Sequence, residues 1–296
     1  MDSSVAYSGW RPIRDHRPPH LGKGERPDGK LPDAPVIPAT RFFDQLSYIG
    51  DEFVGCFVVE TSQGLMLLDC LFPDVEPDTK IPITDISRMK YASILEDGLR
   101  SLGLDPFQIK KIVITHGHGD HFGNGDFYRN RYGCTLYMSQ VDEDFAHHLP
   151  ADVPWGAMTW NADHYLHDGG SVTLGDTTIY TYATPGHTPG CMNFILPVTD
   201  EGRPHTAALW GGTGIPRSPQ AQQIYLESAK RFTQLCDQHQ VDVEIATHPF
   251  TDNSVQRLDL CRNIVNGVAN PYVIGRDACR RYEAMFLQLC LSHMNH

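Results

Sequence analysis

Runs of strands followed by helices, met twice along the chain, predict an α/β (α+β) protein with two mixed β-sheets face to face and helices outside. Two observations carry this expectation. Apolar runs of strand length end on turn residues in both halves, and each half then enters a segment whose apolar residues follow helical spacing. With 296 residues, 41% hydrophobic and 10% aromatic, the chain can bury a large core as one domain or two fused halves.

The elements follow in order. Residues 1–38 carry Pro12, Pro18, Pro19, Pro27, Pro32, Pro35 and Pro38 among charges and glycines, which predicts an arm that wraps or trails ahead of a domain at 39–296. Strands are expected from near Phe42. A hairpin follows, with Phe57 to Thr61 and Leu65 to Asp69 joined by Ser62, Gln63 and Gly64. Asp85 or Ser87 offers an N-cap to a helix bearing Tyr91, Ile94, Leu95, Leu99 and Leu102 on one face and stopping at Gly103. The next strand is Ile109 to Thr115. A short helix at Asp126 to Tyr132, a strand at Thr135 to Met138 and a helix at Gln140 to His148 come after it. Residues 149–168, with Pro150, Pro154, Trp155, Trp160 and Tyr165, read as a long apolar loop able to wall a site. The second half repeats the order, with strands at Ser171 to Leu174, Thr178 to Ala183, Met192 to Leu196 and Thr206 to Trp210, then a helix from Ala221 to Gln238. A strand from Val241 leads to His248, and a closing helix from Asp277 to His293 is expected to bury Tyr282, Met285, Phe286 and Leu289.

Composition narrows the classes. A net charge of −12 lacks the basic footprint of a phosphate-backbone binder, so no nucleic-acid partner is expected. No window approaches the ~18 consecutive apolar residues of a membrane span, and the first residues have neither a basic leader nor an apolar core. Eight cysteines with no C-x-x-C pair suggest neither a zinc ribbon nor a disulfide scaffold, and a reduced, cytoplasmic protein is the expectation. Cys56, Cys70, Cys134 and Cys191 fall in or beside strands, where small buried thiols are common.

The densest chemical signal is Thr115-His116-Gly117-His118-Gly119-Asp120-His121, directly after Ile112-Val113-Ile114. A strand ends there, and Gly117 and Gly119 let the backbone fold tightly enough for the side chains to converge. Imidazoles and a carboxylate together suit zinc or a similar first-row metal. Ligands so closely spaced point in two directions. Two adjacent ions are the natural reading, one on His116 and His118, the other on Asp120 and His121.

This H-x-H-x-D-H pattern resembles the signature of the metallo-β-lactamase superfamily, and the resemblance extends over roughly residues 42–292. It implies the family's αββα sandwich. Thr184-Pro185-Gly186-His187-Thr188-Pro189-Gly190 looks like the third histidine motif, which implies that His187 completes the first ion's set and leaves a position for water. Ala246-Thr247-His248-Pro249 looks like the last motif, which implies that His248 completes the second. By the same resemblance Asp69, at the end of the hairpin, accepts a hydrogen bond from a metal-bound histidine, setting its tautomer and raising its basicity.

Within the superfamily, lactonase-like and glyoxalase-II-like members carry a bridging aspartate after the third histidine. Here that position falls in Leu209-Trp210-Gly211-Gly212-Thr213-Gly214, which has no carboxylate or cysteine. Flavin-linked diiron members use a glutamate where His118 stands. The remaining pattern resembles subclass B3 β-lactamases, including the stretch from Asn270 to Tyr282. The resemblance also places a cysteine partner for Cys279 at Val241, so that disulfide is expected to be absent.

The implied chemistry is hydrolysis. Two Zn2+ ions supply a water acidic enough to attack a carbonyl near neutral pH and polarise the carbonyl oxygen, while Asp120 orients the nucleophile and relays a proton. The expected substrate is a small molecule with a strained or activated cyclic carbonyl. The main expectation is a lactamase in the broad sense, acting on β- or γ-lactams of natural products or xenobiotics, as in detoxification. A lactone or thioester hydrolase is the second reading and a metal-binding protein without turnover the third. Trp155, Trp160, Arg217 and Ser218 are candidate substrate contacts, although the tryptophans also read as core and Arg217 as a solvated loop residue. His147, His148, His164 and His167 read as structural or surface residues.

Overall fold

The computed structural model describes residues 33–150, 153–263 and 268–294. The first sheet holds β1 (Val36–Phe43), β2 (Leu46–Asp51), β3 (Gly55–Thr61), β4 (Gly64–Leu68), β5 (Ile109–Val113), β6 (Thr135–Met138) and β7 (His164–Tyr165), in that spatial order. Its strands are antiparallel from β1 to β4 and parallel from β4 to β7. The second sheet holds β8 (Gly170–Leu174), β9 (Thr177–Ala183), β10 (Met192–Asp200), β11 (Arg203–Trp210) and β12 (Val243–Ala246), antiparallel except for the β11–β12 pair. The helices are α1 (Lys90–Ser101), α2 (Gly119–Phe122), α3 (Gly125–Tyr132), α4 (Gln140–His147), α5 (Pro219–His239), α6 (Ser254–Arg262) and α7 (Arg276–Met294).

Strand alternation builds three apolar layers. On β3 and β4, Cys56, Val58, Leu65 and Leu67 face a core shared with α1 and α3, which contribute Leu95, Leu99 and Tyr128. Their neighbours Phe57, Val59, Met66 and Leu68 face the opposite way, into a layer with Phe194, Leu196 and Ile245 from the second sheet. Ile195, Ala208 and Trp210 then face a third layer with Phe232 of α5 and Phe286 of α7, where Trp210 and Phe286 stack at 4.3 Å. Because both faces of each central strand are covered, these strands read as continuous apolar runs. The mixed two-sheet sandwich expected from the sequence is the observed fold.

The exits of β4, β5, β9, β11 and β12 converge at the sheet edges. Met192 N donates to Thr115 O at 2.8 Å and Gly55 N to Thr247 O at 2.8 Å, so loops from different strands are stitched together there. This is the strand-end crevice where sheet proteins place ligands.

Several elements differ from the sequence expectation. β1 begins at Val36 and includes Pro38; it is an edge strand with a register shift between Ile37 and Thr40, so the missing N–H of Pro38 costs no central ladder bond. The expectation for residues 1–32 lies outside the described residues. Asp85 caps only a 3₁₀ turn at Ile86–Arg88. The α1 N-terminus is capped from a distance by Asp74, whose carboxylate accepts from the backbone N–H groups of Lys90, Tyr91 and Ala92. Met285 is 37% exposed rather than buried, because α7 turns Cys279, Glu283, Phe286 and Cys290 inward. Helices α2 and α6 were not anticipated, being too short or too weakly amphipathic to show periodicity. All eight cysteines are free, Cys279 among them, and all but Cys261 are buried. Among the described residues no helix is long and apolar enough to cross a membrane.

Asp74 is 6% exposed, and its carboxylate also accepts from Asn124 Nδ2 at 2.8 Å. Replacing it strands the first N–H groups of α1 in a buried setting. Asp74→Ala is expected to lower unfolding stability by about 2 kcal/mol in urea titrations. A change within error would show that the cap contributes nothing.

Candidate metal centre

β5 ends and the chain turns at once through Gly117 into α2, so His116, His118, Asp120 and His121 all leave one strand exit. Gly117 has no room for a side chain: a Cβ there would lie 2.7 Å from Asp142 O. Gly119 is equally closed, since its Cβ would sit 2.2 Å from the Trp155 ring. The tight turn is therefore a packing requirement as well as a conformational one.

The structure gathers two groups. In the first, His118 Nδ1 lies 3.0 Å from His187 Nε2, which lies 3.2 Å from His116 Nε2. In the second, His121 Nε2 and His248 Nε2 are 3.3 Å apart, and each is 3.6 Å from Asp120 Oδ2. Ligand atoms about 2.1 Å from one tetrahedral ion stand ~3.4 Å from each other, so both groups have the dimensions of a zinc-type ligand set. His116 and His121 rings are 3.9 Å apart between centroids, which places the groups side by side.

The outer nitrogens are held by neighbours. His121 Nδ1 donates to Asp69 Oδ2 at 2.7 Å, His187 Nδ1 to Gly214 O at 2.7 Å and His248 Nδ1 to Phe53 O at 2.8 Å. His116 Nδ1 lies 3.0 Å from Thr115 Oγ1, whose proton goes to Asp69 Oδ2. In these four rings Nδ1 carries the proton and Nε2 presents its lone pair inward. Asp69, at φ 62°, accepts in addition from Thr115 N at 2.7 Å.

Burial and crowding disfavour protons between these nitrogens. Burial, then the charges of neighbouring histidines, pushes His116 well below the usual imidazole range. Burial likewise brings His187 down to about 4. Convergent lone pairs that resist protonation are suited to a cation. His121 goes the other way: burial opposes its charge, but Asp120 and Asp69 outweigh it and hold its value up.

One residue essential to this geometry escaped the sequence reading. Asp142 is fully buried on α4 and accepts from Gly117 N at 2.7 Å, Thr188 Oγ1 at 2.6 Å and Gly190 N at 2.6 Å. It ties the His116–His118 turn to the loop carrying His187. The available signal was Ser139 with an acid three residues on, which resembles an ordinary helix start.

The proposed substrate contacts are placed less uniformly. Trp155 rests on the Gly119 backbone, and Trp160, 5% exposed, packs on Gly125 and Phe122. Both line a cavity of about 480 Å³ that none of the six clustered residues lines. Arg217 is exposed, and the Ser218 hydroxyl accepts from Ala221 N, capping α5. His147 bonds Met158 O and Asn161, a structural role.

A model of the metallo-β-lactamase superfamily matches residues 49–200, just over half of the chain. The chain belongs to this superfamily. Mitochondrial persulfide dioxygenase ETHE1 of Bos taurus is 30% identical over 116 residues, 39% of this chain and 36% of the relative. The chain spans about a third of the length of the first curated relatives it matches. Others are named as metallo-hydrolases, a hydroxyacylglutathione hydrolase and an N-acyl homoserine lactonase. Among solved structures, the subclass B3 metallo-β-lactamase BJP-1 of Bradyrhizobium japonicum aligns with a TM-score of 0.69 at 23% identity, over 88% of this chain and 96% of that one. FEZ-1 metallo-β-lactamase of Legionella gormanii aligns at 0.74 and 20%, over 89% and 98%. Likeness at these identities shows the shared fold. The six clustered side chains of this metallo-β-lactamase superfamily protein form two donor groups suited to metal ions.

Removing the Asp142 carboxylate leaves three buried donors without an acceptor. Asp142→Ala is expected to cost about 3 kcal/mol of unfolding stability, measured by denaturant titration. A loss within error would mean that the two loops hold their positions without it.

Proposed function

We propose that the protein is a dinuclear zinc hydrolase that opens a cyclic amide, with His116, His118 and His187 holding one ion and Asp120, His121 and His248 the other. The observation that carries this reading is the pair of adjacent three-donor groups with zinc-type spacing. When bound, the metal supplies a Lewis acid for the carbonyl oxygen and an acidified water as nucleophile. Asp120 Oδ2 faces both His121 and His248, at the position from which a carboxylate orients the attacking water and passes its proton to the leaving nitrogen. Asp69 holds His121 in the ligating tautomer, and the low proton affinity of His116 and His187 keeps their lone pairs available.

The lactam reading draws on the exit of β11. Trp210 is followed by Gly211, Gly212, Thr213 and Gly214, and a Cβ on Gly212 would lie 2.5 Å from His187 Cβ. No carboxylate comes from this strand end to bridge the groups, unlike the pattern that lactonase-like and glyoxalase-II-like relatives lead one to expect. The subclass B3 lactamases among the structural neighbours support the same direction. The alternative is a lactone or thioester as substrate, favoured by the curated relatives named for those activities.

A panel of nitrocefin, γ-lactams, lactones and S-acyl thiols, run on zinc-loaded protein, separates these readings. Turnover of lactams is expected, and turnover of esters alone sinks the lactam assignment. Elemental analysis is expected to find two equivalents of metal in these groups. Asp120→Asn is expected to lose at least ~100-fold in kcat/KM, and unchanged activity would remove Asp120 from the mechanism.

Acid should empty the two groups in sequence. Protons compete for His121 at higher pH because Asp120 and Asp69 favour its charged form, whereas His187 stays neutral down to about 4. Dialysis in steps from about pH 7 to about pH 4 is expected to release the Asp120–His121–His248 metal first. Simultaneous or reversed release would contradict this order.

A further inference from the structure

Another group of metal-ligating side chains lies away from the histidines, in the layer between the second sheet and its helices. Cys236 on α5, Glu244 on β12 and Glu283 on α7 place one ligand atom each within 4.8 Å of the others. Their exposures are 2%, 0% and 1%. All four carboxylate oxygens are buried and none makes a hydrogen bond of full geometry, although Glu283 lies within reach of Glu244, the Cys236 thiol and the Thr233 hydroxyl. Ionised together in an apolar core, among Trp210, Phe232 and Phe286, the two carboxylates would cost several kcal/mol each without a cation, and burial pushes Glu244 toward its neutral form. The group needs positive charge.

The surroundings provide little of it. Asp252, from the segment after β12, adds negative charge near Glu244, though its own oxygens accept from Ala246 N, Ser254 N and Ser254 Oγ. Asp237 is engaged by Arg280, and Asp242 by His205. The cation acting on Glu244 is Arg257, whose buried Nη1 lacks a hydrogen-bond partner while its guanidinium lies over the Tyr272 ring. Without a further cation, burial holds the Cys236 thiol and the Glu244 carboxyl toward their neutral forms, whereas a dication added to Arg257 would offset two carboxylates and a thiolate. Cys279, one turn before Glu283 and 1% exposed, lies close enough to feel both carboxylates.

We propose that Cys236, Glu244 and Glu283 form a separate divalent-cation site of zinc type, which ties α5 and α7 to β12. Sulfur and oxygen donors from three elements match a borderline-soft ion, and a closed, buried set matches a structural rather than a catalytic role. β12 runs directly from Glu244 into Thr247 and His248, so the ion anchors the strand that delivers one of the histidines. With all three side chains almost fully buried, the ion would enter as the chain folds.

Cobalt distinguishes this site from the histidine groups, because neither of those offers sulfur. The full chain is expressed in cobalt-supplemented minimal medium and its metal content and absorbance are measured. The expected result is one equivalent beyond the histidine groups, together with a near-ultraviolet thiolate-to-cobalt charge-transfer band. Cys236→Ser is expected to lose the band while keeping the visible absorbance of the histidine sites. The double variant Glu244→Gln, Glu283→Gln, whose amides can bond each other and preserve packing, is expected to lose the same single equivalent. Wild-type protein with no extra equivalent and no band would overturn the proposal, leaving the two carboxyls to share a proton. A band that persists in Cys236→Ser would overturn the ligand assignment.

Discussion

The Asp69 carboxylate is the contact on which the rest of the centre depends. It sits where β4 ends, in a left-handed conformation that a non-glycine residue adopts only at a cost. From there one oxygen takes the Thr115 backbone N–H, and the other takes the Thr115 hydroxyl and the His121 ring. Through these bonds it sets the exit of β5, orients His121, and by way of Thr115 steadies His116. Asp142 performs the corresponding task on the far side, joining Gly117 to Thr188 and Gly190. Two buried carboxylates thus clamp the turn that carries the clustered donors.

The clamps work because the two sheets bring the strand exits to one place. A register shift in a central strand would misfit the side chains packed in both covering layers at once, so the strand ends are positioned to within a small distance. The loops then need little freedom. Gly119 lies against Trp155, Gly212 against His187 and Gly186 against Tyr225, each too close for a side chain. What a mobile ligand loop would lose in conformational entropy on binding an ion has already been lost in folding.

Charge is handled differently in the two halves of the molecule. At the sheet edge, burial and neighbouring histidines keep His116 and His187 neutral while Asp120 and Asp69 hold His121 up, in a protein of net charge −12. Behind the second sheet, carboxylates and a thiol converge instead, with Arg257 as the nearby cation. Burial, and then the neighbouring carboxylate, pushes Glu244 well above its ordinary range. The two regions share β12 and the segment after it, so helix packing on one side and the position of His248 on the other are mechanically linked.

Much of this was legible in the amino-acid order. Periodicity identified the strands and the long helices, since period-two and helical patterns reflect burial on a regular backbone. The dense histidine and aspartate cluster announced a metal, because few other purposes put those residue types on one strand exit. Tertiary structure alone decided which nitrogen of each ring faces inward, since that depends on partners such as Phe53 O and Gly214 O from distant segments. It alone revealed Asp74 and Asp142, whose bonds cap or bridge elements far away in sequence and leave no local pattern. Trp155 and Trp160 have the composition of a substrate wall, yet only the packing shows them lining a cavity apart from the six clustered residues. The convergence of Cys236, Glu244 and Glu283 is equally invisible along the chain. Sequence records what each residue can donate or bury; which donors meet is set by how two sheets and their helices close on one another.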